Sequence, residues 1–261
     1  MRLDKEIVLR GLVPTRAKAQ ELIKDRKVKI NGRIETKQAY PVVDIDNIEI
    51  LPNDALKYVS RGGLKLEGAI KYFNIDFNDK VIMDIGSSTG GFTDCALQHG
   101  AKKVIGIDVG TDVMVPVLRI DPRVDLHENL NLKDIDKSLF KGVDIVVSDV
   151  SFISLKYVID KILEQTNKYD LVLLVKPQFE CGKVIADKYK GIINDKEIHE
   201  KILRNISKYL EKNNYYINNA HVSPIKGGDG NIEYLIYVRP TNNNNSINYN
   251  ELVDEAFKKV K

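Results

Sequence analysis

The 261-residue chain has no tryptophan, two cysteines (Cys95 and Cys181) and four scattered histidines (His99, His127, His199 and His221). Two cysteines without metal-ligand spacing offer neither a disulfide framework nor a zinc signature. A reduced protein without a metal site is the expectation, with Cys181 read as a structural or exposed thiol. Long apolar runs are also missing. The longest are short strands, far below the ~20 residues of a membrane-spanning helix. The opening Met-Arg-Leu-Asp-Lys-Glu has no apolar core of a secretion signal. A cytoplasmic protein without stable membrane association is therefore expected. Low complexity is confined to Asn242–Ser246, read as a flexible connector to a short C-terminal helix.

Charge is abundant and uneven. The net charge is +3, yet residues 1–40 hold 11 Lys/Arg against 5 Asp/Glu, leaving the remainder net acidic. A basic end on a near-neutral body suggests a polyanionic partner, with a merely solvated lysine-rich surface as the alternative. Leu3, Ile7 and Val8 form one helical face, and Pro14-Thr15 separates it from a second helix in which Ala19, Leu22 and Ile23 repeat. Thr15 suits the N-cap. Residues 26–30 then switch to period two, with Asn31-Gly32 as a hairpin turn and Arg33-Ile34 as the return. A last alternating strand is expected over Pro41–Leu51. Together these make an α+β module of about 55 residues.

Beyond Tyr58 the texture changes. A helix opens at Ser60-Arg61-Gly62-Gly63 and runs to about Tyr72. Apolar strands over 81–85, 104–108, 124–127, 145–149 and 171–176 alternate with helices. That alternation predicts a doubly wound parallel sheet buried on both faces. A helix over 196–211 and an antiparallel pair, 215–222 and 232–238, close it. The expected division is 1–58, a linker at 59–64, a large domain at 65–240 and a tail at 241–261.

The most informative stretch is Asp84-Ile-Gly86-Ser-Ser88-Thr-Gly90-Gly91-Phe92. It reads as a strand, a glycine-rich turn and a helix N-terminus, which present backbone N–H groups and a positive dipole end to a ligand. It lacks the G-x-G pair of a dinucleotide loop and the Lys-Ser/Thr of a phosphate loop. A second strand ends in Asp108, roughly 20 residues on, where such folds bind ribose hydroxyls. A ligand with a carboxylate, a positive centre and a ribose meets these demands, as S-adenosylmethionine does. The plainer readings are a turn needing positive φ and a helix-capping Asp.

Four charged residues sit at comparable places: Asp149 and Lys176 at strand ends, Lys65 on the helix before the first strand, and Glu233 at the start of the last. Lys176 follows five apolar residues, so desolvation there favours a neutral amine able to act as a general base. Snorkelling for Lys176, capping for Asp149 and solvent exposure for Lys65 and Glu233 stay open, and spacing does not bring the four together.

These residues resemble the TlyA family, which joins an S4 RNA-binding domain to an FtsJ-like ribose methyltransferase. Arg16-Ala-Lys-Ala19-Gln-Glu-Leu22-Ile23 with Val28-Lys-Ile30-Asn31-Gly32 resembles the first. Val59-Ser-Arg-Gly-Gly-Leu-Lys-Leu66 resembles the join, with Tyr58 where the family carries tryptophan. Asp84 to Asp94 resembles the methyl-donor loop. The resemblance implies a Rossmann-like class I α/β fold and methylation of a ribosomal RNA ribose, a cytidine, with rRNA or ribosomal subunits as partner. It implies a Lys-Asp-Lys-Glu set at Lys65, Asp149, Lys176 and Glu233. Asp84, Gly86, Ser88, Gly90, Phe92, Asp108 and Asn131 would hold the donor, and Arg16, Lys18, Arg26, Lys27, Lys29 and Arg33 the RNA. No metal is implied. The family's other association, with hemolysis, finds no amphipathic membrane helix in this sequence.

Overall fold

A computed structural model describes residues 1–13, 15–51, 57–165, 168–242 and 246–259. Pro14, expected to end the first helical unit, and residues 243–245 of the expected connector lie outside the described residues. The chain divides into two compact units, Met1–Arg61 and Gly62–Lys261.

In the first unit, α1 (Leu3–Leu9) and α2 (Arg16–Lys24) precede β1 (Val28–Ile30), β2 (Arg33–Ile34) and β3 (Ile48–Ile50). Thr15 caps α2, its hydroxyl accepting from the Lys18 N–H at 3.2 Å. Leu3, Ile7, Ala19, Leu22, Ile23 and Val28 are fully buried in one core. β1 pairs antiparallel with both neighbours. Asn31 and Gly32, at φ +50° and +81°, form the turn that the twist of a tight hairpin favours. The strand expected over Pro41–Leu51 shrinks to Ile48–Ile50. Pro41 makes only an isolated bridge to Arg2, and Ile45 is 92% exposed. The Asp46 carboxylate accepts from Val43 N–H at 2.9 Å, and Arg10 donates to the Asp46 and Val43 carbonyls. These bonds favour a turn over a ladder.

The second unit begins with α3 (Gly62–Phe73), which absorbs the end of the expected linker. It continues β4 (Val81–Ile85), α4 (Gly91–Gln98), β5 (Lys103–Ile107), α5 (Pro116–Arg119), β6 (Val124–His127), β7 (Ile145–Ser148), α6 (Leu155–Leu163) and β8 (Asp170–Val175). Then follow α7 (Pro177–Glu180), α8 (Lys183–Lys188), α9 (Lys196–Glu211), β9 (Tyr216–Val222), β10 (Tyr234–Arg239) and α10 (Tyr249–Lys259). The seven-stranded sheet has the order β6-β5-β4-β7-β8-β10-β9, with β10 antiparallel to both neighbours. The chain builds outward from β4 on one side and then returns to β7 on the other. The β4/β7 boundary is thus a topological switch point, where such sheets leave a crevice at their carboxyl edge. Buried Met83, Val146, Leu171 and Leu173 place the core across the same strands. Leu252, Val253 and Ala256 of α10 are buried in this core. Among the described residues no helix is long and apolar enough to cross a membrane.

Candidate active site

The loop after β4 is shaped by positive φ at Gly86 (+84°), Ser88 (+47°) and Gly90 (+95°). A Cβ on Gly86 would lie 3.1 Å from Val150 Cγ1 and 3.4 Å from the Asp149 carbonyl oxygen, and one on Gly90 would collide with Leu118. Glycine leaves a cradle there that a side chain would fill. Asp84 is buried; its Oδ2 accepts from Thr93 Oγ1 at 2.7 Å, whereas Oδ1 has no hydrogen-bond partner among the described residues. Burial pushes this carboxyl up to about 7, and the charges of Asp149 and Asp108 act in the same direction against the Thr93 bonds.

Asp108 follows β5 and accepts from the Ser88 N–H at 2.8 Å and the Gly110 N–H at 2.7 Å, tying the two loops together. Phe92 is buried on the first turn of α4. Asn131 is exposed, and its side-chain oxygen accepts from Lys133 N–H at 3.2 Å as a helix cap. Sequence reasoning missed Glu128, one residue beyond β6. Its carboxylate accepts from Asp112 N–H (2.8 Å), Val113 N–H (3.1 Å) and Arg119 Nη2 (2.5 Å). The Arg119 bond, joined by these backbone bonds, holds it down to about 2 against desolvation.

Asp149, Lys176 and Glu233 come together with Lys65 because β4, β7, β8 and β10 are successive neighbours. Antiparallel β10 starts where parallel β8 ends, with Tyr234 opposite Val175. Lys176 Nζ lies 2.5 Å from Asp149 Oδ1, and Lys65 Nζ lies 3.1 Å from Asp149 Oδ2 and 2.8 Å from Glu233 Oε2. The result is one chain of ion pairs, Lys176–Asp149–Lys65–Glu233. Lys65, Lys176 and Glu233 are buried. Burial alone draws the Lys65 ammonium down, but the Asp149 and Glu233 charges outweigh it and leave its pKa raised. Lys176 also donates to Ser151 Oγ at 2.8 Å. Two exposed-side aromatics border it: Lys176 Nζ is 5.8 Å from the Phe179 ring centre, and Phe179 lies 5.3 Å from Phe152. Phe152 is 88% exposed at φ +67°, a conformation a bulky residue rarely adopts. Its only sequence signal was an aromatic three residues past the expected strand end at 149.

In the first unit, Arg26 and Arg33 are exposed and Lys27 and Lys29 half-buried, with Lys29 Nζ 3.7 Å from Glu49. Arg16 is anchored, its Nε 2.8 Å from the buried carboxylate of Asp4, which Arg2 and Gln20 also contact. Lys18 departs from the expected outward placement. It is 3% exposed and its Nζ faces Glu21 at 3.4 Å, because its position on α2 turns it inward beside the core residues Ala19 and Leu22.

Residues 58–239 match the FtsJ-like methyltransferase family, and residues 1–47 match the S4 domain. The chain belongs to the FtsJ-like methyltransferase family. Among curated relatives, Hemolysin A of Brachyspira hyodysenteriae is 46% identical over 91% of this chain and 99% of that one. The 16S/23S rRNA (cytidine-2′-O)-methyltransferase TlyA of Mycobacterium tuberculosis is 36% identical over 91% and 89%. A solved structure of a candidate hemolysin from Streptococcus thermophilus superposes with a TM-score of 0.78 at 35% identity, covering 99% of this chain and 96% of that one. These relatives place the chain in the TlyA/hemolysin A branch of the family.

Proposed function

We propose that this chain transfers a methyl group from S-adenosylmethionine to a ribose 2′-hydroxyl of ribosomal RNA, in the cytoplasm. The reading rests on one observation: two lysines and two carboxylates form a continuous ion-pair chain whose central Asp149 abuts the glycine loop. The cytidine acceptor is taken from the name of the Mycobacterium tuberculosis relative. Residues 65–240 would be the catalytic domain, 1–58 the RNA-binding module, and 59–64 the join.

The residues fit the donor. The unpartnered Asp84 Oδ1 offers a buried acceptor for an ammonium or a water serving it. Asp108 spends one lone pair per oxygen on backbone N–H groups and keeps others for ribose hydroxyls. Gly86, Ser88 and Gly90 shape the cradle, Phe92 backs it from α4, and Asn131 lies on the loop that would border the adenine. When bound, the donor supplies an electrophilic methyl group on a sulfonium.

The chain's own residues handle the proton. A ribose hydroxyl is a poor nucleophile, and its oxygen lone pair forms the new C–O bond as its proton passes to a base. Lys65, between two carboxylates, is the fixed cation that offsets negative charge on that oxygen. Lys176 Nζ, held between Asp149 and the Ser151 hydroxyl, is the group assigned to accept the proton. Asp149 orients both ammonium groups and Glu233 restrains Lys65. Phe152 offers a ring on which a splayed-out base stacks. Arg26, Lys27, Lys29 and Arg33 would contact phosphates, with Arg16 a partial contributor.

Lys176→Ala should lose more than 100-fold in methyl transfer to ribosomal RNA while binding S-adenosylmethionine within about 2-fold of wild type, read by labelled-methyl incorporation and calorimetry. Wild-type transfer by that variant would eliminate Lys176 as the base.

A further inference from the structure

Glu233 belongs to no helix or strand; it precedes β10 at the end of a loop that begins at Ser223. Such a position is mobile unless its backbone is tied down. Bonds within the loop and bonds to one outside segment, residues 191–193, tie this one. The Ser223 N–H donates to the Glu233 carbonyl at 2.9 Å, and the Gly227 N–H to the Asn231 carbonyl at 2.9 Å. Asn231, 2% exposed, uses both ends of its amide on backbone. Its Oδ1 accepts from Ile193 N–H at 3.0 Å and its Nδ2 donates to the Gly191 carbonyl at 2.8 Å.

The far side of that junction is itself anchored. His199 Nε2 lies 2.9 Å from the Ile193 carbonyl and Nδ1 lies 2.8 Å from the Tyr234 hydroxyl. A carbonyl only accepts, so Nε2 carries the hydrogen and Nδ1 accepts from Tyr234. The buried ring thereby joins α9, the 191–193 segment and the first residue of β10. Gly227 supplies the opposite wall. A Cβ there would sit 2.5 Å from Glu233 Oε1, so only glycine leaves room for the carboxylate as placed.

We infer that Asn231 is a positioning residue for the catalytic set: its amide clamps the 191–193 segment to the entry of β10 and so holds the Glu233 carboxylate against Lys65. This rests on the reading of Glu233 given above. An amide is the right group because it accepts from the buried Ile193 N–H and donates to the part-buried Gly191 carbonyl at once. Asp would present a second acceptor to the Gly191 carbonyl, and Ala would leave both backbone groups unpaired.

The test is a double-mutant cycle on the full chain with ribosomal RNA, in single-turnover labelled-methyl transfer with enzyme in excess. Asn231→Ala and, separately, Asn231→Asp should lower the transfer rate by at least 10-fold at saturating donor, with donor affinity by calorimetry within 2-fold. In a Glu233→Gln background the Asn231→Ala change should cost less than 2-fold, because the group it positions is already disabled. Gly227→Ala, which presses on the same carboxylate while leaving the Asn231 amide in place, should repeat the signature and keeps the idea testable where Asn231 variants fold poorly. With Glu233→Gln impaired, a wild-type rate for both Asn231→Ala and Gly227→Ala, or full additivity in the double variant, overturns the inference. A wild-type rate for Glu233→Gln itself would instead overturn the catalytic reading of Glu233.

Discussion

Asp149 is the residue on which the site turns. One carboxylate holds two buried lysines, one through each oxygen. Buried lysines of like charge otherwise repel and desolvate at a cost. Asp84 is its counterpart beside the glycine loop, a carboxyl that burial has pushed up to about 7. The sign of its effect follows from linkage. Its folded pKa exceeds the unfolded one, so its contribution to stability is full below about 4 and is lost as pH rises through 7. A cationic donor favours the ionised form, so affinity for S-adenosylmethionine should climb by up to about tenfold per pH unit below 7 and level off above it. Titration calorimetry between pH 5.5 and 8.5 reads this. Asp84→Asn should bind more weakly with a flat profile, and an unchanged profile in that variant would assign the titration to another group.

The loop joining β5 to α5, which would border the proposed donor, has no regular structure of its own. Gly110 N–H and Ser88 N–H meet on Asp108, and Glu128 straps residues 112–114 from the end of β6. Without the strap the loop's backbone N–H groups lose their partners and the segment opens. Glu128→Ala should weaken donor affinity by about 10-fold and expose residues 110–115 to proteolysis, while leaving RNA binding by the first unit unchanged. Equal donor affinity in the variant would show that the strap is dispensable. The long, strongly periodic α9 matched its expected span because its buried positions, Ile202, Ile206 and Leu210, recur at helical spacing. The 41–51 segment did not. Its alternating apolar residues competed with local hydrogen bonds from Asp46 and Arg10, and the turn won over most of the segment.

At the scale of the molecule, the proposed RNA contacts fall on the first unit. The basic first unit presents Arg26, Lys27 and Arg33 at its surface, whereas Lys18 is buried and Arg16 is spent partly on Asp4. Replacing Arg26, Lys27 and Arg33 by Ala should therefore reduce the slope of log affinity against log salt by about 2 to 3, close to 0.7–0.9 per phosphate contact. Replacing Lys18 alone should leave the slope unchanged. Filter binding across a salt series distinguishes the two.

Much of the fold is legible in the sequence. Strand–helix alternation, the glycine loop and Asp108 are local patterns, set by burial on both faces of a parallel sheet and by turns that demand positive φ. Residue type at a strand end marked Asp149 and Lys176 as candidates, and resemblance to a family grouped them with Lys65 and Glu233. Their meeting is different in kind. Lys65 and Glu233 are 168 positions apart, and the packing of α3 against the reversed strand β10 brings their side chains to 2.8 Å. The same holds for Lys18, whose inward turn depends on what packs around α2, and for Asn231 and Glu128, polar residues in loops whose partners are backbone groups distant along the chain. Periodicity records which face of an element is buried; which loops meet at one sheet edge is decided by strand order and packing alone.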